Sequence, residues 1–211
     1  MDNANVGMLR NDKIAEYAGG IFRFLFVWIG SAVFKRSVFM NYQIKKLTTA
    51  AVLIALGVVC SAFYIPVGAS KCFPVQHVVN VIAGVTLGPA YGFGMAFATS
   101  LIRVLLGTGS LLAFPGSMVG ALLCGILYQY FGKKLYLAYI GEVFGTGILG
   151  ALVAYPVATL IMGQEAAVFA YVVPFLVSTA GGATMAFVLL CALKRAKVLE
   201  RVQVSLGTAK Q

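Results

Sequence analysis

The chain has 211 residues, of which 61% are apolar and only 10% are charged, and its mean hydropathy is +0.94. Soluble domains average about 25% charged residues, so this composition indicates an integral membrane protein. The net charge of +10 does not indicate a nucleic-acid partner. Seven of the sixteen basic residues precede the first clear apolar run and five follow the last, a placement typical of topology determinants and anionic-lipid contacts.

Residues 1–39 differ in pattern from the rest of the chain. The first twenty are polar and without an apolar period, and a short aromatic run then follows that Arg23 interrupts. This run is too short to predict a membrane span. It is either an interfacial amphipathic helix or part of an N-terminal extension upstream of a natural start at Met40, and we favour the second interpretation.

The apolar runs that follow predict an all-α integral membrane protein with a bundle of six transmembrane helices. The predicted spans are 47–66, 75–87, 91–106, 118–131, 135–162 and 167–193. They lie in a membrane domain of residues 40–197, and residues 198–211 are a predicted cytoplasmic C-terminal tail. Basic residues before the first span, after the fourth and after the sixth predict a multi-pass cell-membrane protein with both termini in the cytoplasm. The loops that would then share the outer face are 67–74, 107–117 and 163–166.

The first predicted span contains Ala51 and Ala55, a small-xxx-small step that lets another helix approach closely. The partner helix could belong to the bundle or to another protein. From this pattern alone, packing within the bundle is the simpler interpretation.

The second predicted helix carries an unusual polar face. Gln76, His77 and Asn80 fall within roughly 100° of one another around its axis, and His77 is the only histidine of the chain. Hydrocarbon offers these side chains no hydrogen-bond partners, so they must bond to other helices or to a ligand. They lie just inside the first predicted outer loop, where an imported ligand would arrive.

Two charged residues are predicted inside the later helices. Arg103 lies in the outer third of the third span, at the depth of the polar face of the second helix. A buried arginine is costly unless it is paired, so Arg103 is a candidate site residue. Glu142 is the only acidic residue well inside a span and is predicted to lie deeper than Arg103. It could pair with Arg103, or it could bind a ligand or a proton.

Catalytic and metal-binding motifs are missing from the sequence. Four widely spaced cysteines and one histidine do not favour a metal site, and no cofactor is predicted. The sequence has no nucleotide-binding loop, no GxSxG or HExxH motif and no pair of embedded carboxylates, so the protein is predicted not to be an enzyme. A nucleophile pair of Cys72 and His77 is the remaining enzymatic alternative.

Three blocks of sequence, in one order from Lys45 onward, resemble a known family. The first holds CFPVQH, NVIAG and LGP between Cys72 and Pro89, and the second is LGTGSLLAFPGS from Leu106 to Ser117. The third holds GE, GTG and AYP between Gly141 and Pro156. Together they resemble the ThiW family, the substrate-binding (S) components of energy-coupling-factor (ECF) transporters assigned to the thiazole precursor of thiamine.

The resemblance implies a six-helix membrane subunit without an ATPase of its own. Such a subunit binds its ligand, here hydroxyethylthiazole, near the outer face of the membrane. It docks on a transmembrane coupling protein that two ATPases drive, and Ala51 and Ala55 match the docking face that the family has on its first helix.

The resemblance also implies a set of ligand contacts. Gln76, His77 and Asn80 would bond to the ring nitrogen and hydroxyl of the ligand, and Phe114 or Tyr155 would cover its ring. The full set of candidate site residues is Gln76, His77, Asn80, Arg103, Ser110, Phe114, Glu142 and Tyr155. The main alternative is a self-sufficient secondary transporter coupled through Arg103 and Glu142, although the two halves of the chain show no convincing repeat.

Overall fold

The computed structural model describes residues 40–67, 70–163, 165 and 167–209. The predicted N-terminal extension, residues 1–39, lies outside the described residues. Residues 44–211 form one compact unit.

Helices make up most of this unit. The elements in chain order are α1 (Met40–Ala62, ending in a 3-10 turn at Cys60–Ala62), β1 (Ile65–Val67), β2 (Ser70–Cys72), α2 (Pro74–Thr86), α3 (Pro89–Leu105), α4 (Ala113–Tyr130), α5 (Leu135–Ile161), α6 (Val172–Arg195) and α7 (Val198–Ser205). By length and composition, α1, α5 and α6 can cross a membrane. The helical class is therefore as predicted, while the count of six spans stays a prediction, because α2, α3 and α4 have only 13, 17 and 18 residues.

The structure differs from the sequence expectations at several places. Helix α1 ends at Ala62 rather than Pro66, and a hairpin covers the end of the predicted span and the start of the predicted outer loop; its strands β1 and β2 pair antiparallel, with three residues in each. Strands of this length are too short to show a period of two.

Helix α4 begins at Ala113 rather than Met118, so residues 113–117 are helical rather than loop. Helix α6 begins at Val172 rather than Ala167. The predicted tail contains the short helix α7.

Two prolines and a glycine fix the ends of α2 and α3. Pro74 and Pro89 each begin a helix, where the fixed φ of proline suits the first turn and its missing N–H group is not needed. Gly88, between the two helices, has a φ of 91°, a conformation that side chains other than glycine rarely adopt. The polar face of α2 therefore begins directly after the hairpin.

Helix α2 lies at the centre of the fold. Nine of its thirteen residues are buried, and it packs against α3, α4, α5 and α6. Its C-terminal half joins an apolar cluster with α4, α5 and α6 that includes Val81, Val85, Cys124 and Leu190. Its N-terminal half carries the polar residues, which are buried among other helices.

Helix α7 joins the C-terminal ends of α2 and α4. Its residue Gln203 donates from Nε2 to the carbonyl of Val85 at 2.9 Å and to the hydroxyl of Tyr128 at 3.0 Å. Thr208, just beyond the helix, donates to the carbonyl of Thr86 at 2.9 Å. This contact could not be predicted from the sequence, because α7 is too short and too polar to form a recognisable apolar run.

Glycines let α4 and α5 pack backbone against backbone. A Cβ atom added at Gly141 would lie 2.8 Å from both Cα and N of Cys124, closer than atoms can pack. This contact holds the following residue, Glu142, against α4 and α2. The glycine is thus a requirement of the site as well as of the fold.

We predict that Gly141→Ala lowers the unfolding temperature of the detergent-purified protein. The added methyl group forces α4 and α5 apart, a strain that typically costs about 1–3 kcal/mol. Gly181→Ala in α6 is the matched control, because nothing lies within 4 Å of its added Cβ and alanine favours a helix over glycine. Equal unfolding temperatures for the two variants would contradict this packing.

Candidate ligand-binding site

A cavity of about 680 Å³ lies between the start of α2, the end of α3, the start of α4 and the start of α6. This volume is within the ~300–1,000 Å³ range of small-molecule sites. Its wall combines aromatic rings from Phe73, Tyr171 and Phe175 with polar side chains from α2, α3 and α6. The cavity can therefore surround an aromatic ring and bond to polar groups attached to it.

Four of the eight candidate residues line this cavity: Gln76, His77, Arg103 and Ser110. Asn80 and Glu142 do not line it but are bonded to one another, and Glu142 is bonded to His77. The other two candidates, Phe114 and Tyr155, are not among the lining residues, and the Phe114 ring packs on Phe97 at 5.6 Å between centroids. The aromatic rings of the wall are thus different from those that the family resemblance suggested.

Glu142 is the centre of the polar network and is fully buried. Its Oε1 atom accepts hydrogen bonds from Nδ1 of His77 at 2.9 Å and from Nδ2 of Asn80 at 3.1 Å. The hydroxyl of Thr146 lies 3.2 Å from the same atom and shares its proton with the carbonyl of Gly116 at 3.0 Å. Hydrogen bonds from α2 therefore offset the free-energy cost of burying the carboxylate of Glu142, which belongs to α5.

Room for this carboxylate depends on a glycine in α4. A Cβ atom added at Gly120 would clash with the hydroxyl of Thr146 and would lie 2.9 Å from Oε2 of Glu142. Any larger residue would therefore displace Glu142 from His77 and Asn80. Oε2 has no hydrogen-bond partner among the described residues.

A chain of hydrogen bonds fixes the orientation of His77. The backbone N–H of Phe73 donates to Oγ of Ser178 at 3.0 Å, and Oγ of Ser178 lies 3.2 Å from Nε2 of His77. Nδ1 of His77 lies 2.9 Å from Oε1 of Glu142, an acceptor, so a proton on Nδ1 bonds to the carboxylate. This chain of contacts links the wall of the cavity to the buried carboxylate.

Arg103 does not pair with Glu142, which corrects one of the two interpretations that the sequence left open. Among the described residues, no carboxylate lies within 4.0 Å of its guanidinium group. Its Nη2 atom donates to the carbonyl of Thr108 at 3.4 Å, and its Cζ atom lies 4.0 Å from the centre of the Phe73 ring. The side chain is fully buried, and Nε and Nη1 have no partner in the described part of the chain.

Cys72 does not form a nucleophile pair with His77. Its thiol contacts the carbonyl of Pro174 at 3.6 Å, and burial raises the pKa of Cys72. Both ring nitrogens of His77 are bonded elsewhere, to Glu142 and Ser178. The raised pKa disfavours the reactive thiolate form of Cys72. The described residues also contain no cluster of side chains that could hold a metal ion.

Ser178 and Ser117 were not among the site residues predicted from the sequence. Ser178 bonds to His77 from α6, and the carbonyl of Ser117 accepts a hydrogen bond from Asn80 at 3.3 Å. Small hydroxyl residues are common in membrane helices as packing residues, and nothing in the local sequence distinguishes these two. Their roles follow only from the way that α4 and α6 pack on α2.

The structure has apolar helices of spanning length and a small-molecule cavity beside a buried polar network. These two features together are typical of membrane proteins that bind or transport a small ligand. The family model described as thiamine-precursor transporter protein (ThiW) matches residues 47–196. The chain therefore belongs to this family, as the sequence predicted, and its function is the transport of a thiamine precursor across a membrane. No curated protein and no solved structure matches the chain.

We predict that Glu142→Ala destabilises the protein strongly. The variant leaves the buried donors of His77 and Asn80 without an acceptor, and each unpaired donor costs about 1–3 kcal/mol. Glu142→Gln keeps an acceptor oxygen and should cost less. Thermal unfolding in detergent measures both, with Glu200→Gln on the exposed face of α7 as the control. An unchanged unfolding temperature for Glu142→Ala would mean that the network does not stabilise the fold.

Proposed function

We propose that the protein is the substrate-binding subunit of an ATP-driven ECF transporter and that it captures hydroxyethylthiazole at the outer face of the cell membrane. The observation that carries this proposal is the cavity at which Gln76 and His77 of α2 meet Arg103 of α3, in a chain of the thiamine-precursor transporter family. A ligand in this cavity would be enclosed by helices of a single subunit, as a capturing subunit requires.

The proposed topology has six spans, α1 to α6, with both termini in the cytoplasm. Three observations support it. The cavity borders the hairpin and the loops after α3 and α5, which follow odd-numbered helices and so share one side. Lys133 and Lys134 lie between α4 and α5, on the opposite side, together with Lys194 and Arg195 at the end of α6. That distribution is the positive-inside pattern.

The proposed ligand is small and flat, with a ring nitrogen and a hydroxyl group. The amide of Gln76 lines the cavity and makes no side-chain hydrogen bond to another described residue, so it is available to the ring nitrogen. His77 is bonded on both nitrogens and would act mainly by holding the wall in place. Phe73 and Phe175 would cover the two faces or edges of the ring.

We predict that the purified protein binds hydroxyethylthiazole one-to-one in detergent, without ATP. Gln76→Ala should weaken binding about 2- to 10-fold, the usual effect of one hydrogen bond, without lowering the unfolding temperature. His77→Ala should weaken binding and also lower the unfolding temperature, because it disturbs Glu142. Calorimetry measures affinity, and Gln129→Ala on the exposed side of α4 is the control. A His77→Ala protein that binds as tightly as the wild type would remove His77 from the site.

The proposed partners are a transmembrane coupling protein and two ATPases. Ala51 and Ala55 are exposed on α1, whereas Leu53 and Gly57 of the same helix are buried. The small-xxx-small step is therefore not used for packing among the described helices, contrary to the simpler interpretation of the sequence. An outward-facing pair of alanines would let a partner helix approach α1 closely.

We predict that the double variant Ala51→Leu, Ala55→Leu binds the ligand as tightly as the wild type but does not form a complex with the coupling protein. The larger side chains would keep a partner helix at a distance. Co-purification with the coupling protein and ATP-dependent uptake into vesicles measure this effect, with Ala192→Leu on the exposed face of α6 as a matched control. Uptake by the isolated protein in ATP-free vesicles would instead favour a secondary transporter.

A further inference from the structure

Arg103 is a buried cation beside the cavity with most of its hydrogen-bonding capacity unused. Its side chain is fully buried, and the one acceptor that it reaches among the described residues is the carbonyl of Thr108, at the long distance of 3.4 Å. Nε and Nη1 together carry three N–H groups, and none of them has a partner in the described part of the chain. A buried guanidinium group normally has a carboxylate or phosphate partner.

The described carboxylates do not supply this partner. Glu142 is bonded to His77 and Asn80, and Glu165 is exposed at the cavity wall but not within 4.0 Å of Arg103. The remaining contact of the cation is the ring of Phe73, whose centre lies 4.0 Å from Cζ. A ring stacked on the guanidinium plane holds its orientation but supplies no counter-charge.

We infer that the ligand of this cavity carries an anionic oxygen group, as a phosphate ester or a carboxylate, that binds to Arg103. This inference rests on the proposed function, the capture of a thiazole compound in this cavity, and gives the preferred ligand as a thiazole that bears an oxyanion rather than the neutral alcohol. The ring nitrogen lies at Gln76, and the substituent extends towards Arg103 and the hydroxyl of Ser110, which lines the same cavity.

Glu142 does not border the position proposed for the anion. The carboxylate does not line the cavity, and His77 lies between it and the cavity wall. Two donors from α2 already compensate Oε1. Arg103, in contrast, has a planar group of N–H donors that suits a phosphate or a carboxylate better than a neutral hydroxyl group, which can accept few of them.

Calorimetry on the purified full-length protein tests the inference with three compounds that share the thiazole ring: hydroxyethylthiazole, its phosphate ester and the corresponding thiazole carboxylate. We expect one or both of the anions to bind about 10- to 100-fold more tightly than the alcohol, the usual effect of hydrogen bonds between charged groups. Which anion gains more tells whether the natural group is a phosphate or a carboxylate. A wild-type protein that binds the alcohol as tightly as both anions would overturn the inference and leave the proposed function standing.

Variants of Arg103 test the same preference independently. Arg103→Gln should remove the preference for the anion, and Arg103→Lys should keep part of it, because lysine retains the charge but not the planar group. Arg201→Gln, exposed on α7, should keep all of it. An Arg103→Gln protein that prefers the anions as strongly as the wild type would overturn the inference. If that variant does not fold, the ratio of anion to alcohol affinity in the wild type and in Arg103→Lys decides. Failure of all three compounds to bind the wild type would contradict the proposed function and this inference together.

Discussion

A carboxylate in an apolar interior must have hydrogen-bond donors around it, and this requirement organises the structure. Glu142 enters the core from α5, and the donors come from His77 and Asn80 of α2. Gly141 lets α5 approach α4 closely enough to place the carboxylate, and Gly120 leaves room for it. The polar face of α2 is thereby fixed against α5, and the part of it that is not bonded, at Gln76, is left to border the cavity.

The same network connects the cavity to the middle of the bundle. The backbone of Phe73 bonds to Ser178, Ser178 bonds to His77, and His77 bonds to Glu142. Hairpin, α2, α5 and α6 therefore meet in one continuous set of hydrogen bonds. Arg103 is not part of this network: its Cζ atom lies 4.0 Å from the centre of the Phe73 ring, and Nε and Nη1 have no partner among the described residues. The cavity thus has one wall in which hydrogen bonds connect the polar side chains and another that presents a cation.

The sequence predicted the helical class, the membrane character and the family, because long apolar runs and three ordered motif blocks can be recognised without knowing how the helices pack. It also selected Gln76, His77 and Arg103, since polar groups in apolar helices are conspicuous. It could not predict that Glu142 bonds to α2 rather than to Arg103, because depth in a helix does not determine which faces meet. Ser178 was missed for the same reason. The hairpin and α7 were missed because three- and eight-residue elements carry too little pattern.

The measurement that tests the central claim most directly is an experimental structure of the protein with a bound thiazole ligand. We expect ligand density in the cavity bordered by Phe73, Gln76 and Arg103, with the ring nitrogen near the Gln76 amide and the hydrogen bond between His77 and Glu142 intact. Ligand density elsewhere, or a ligand that replaces Glu142 as the partner of His77, would contradict it.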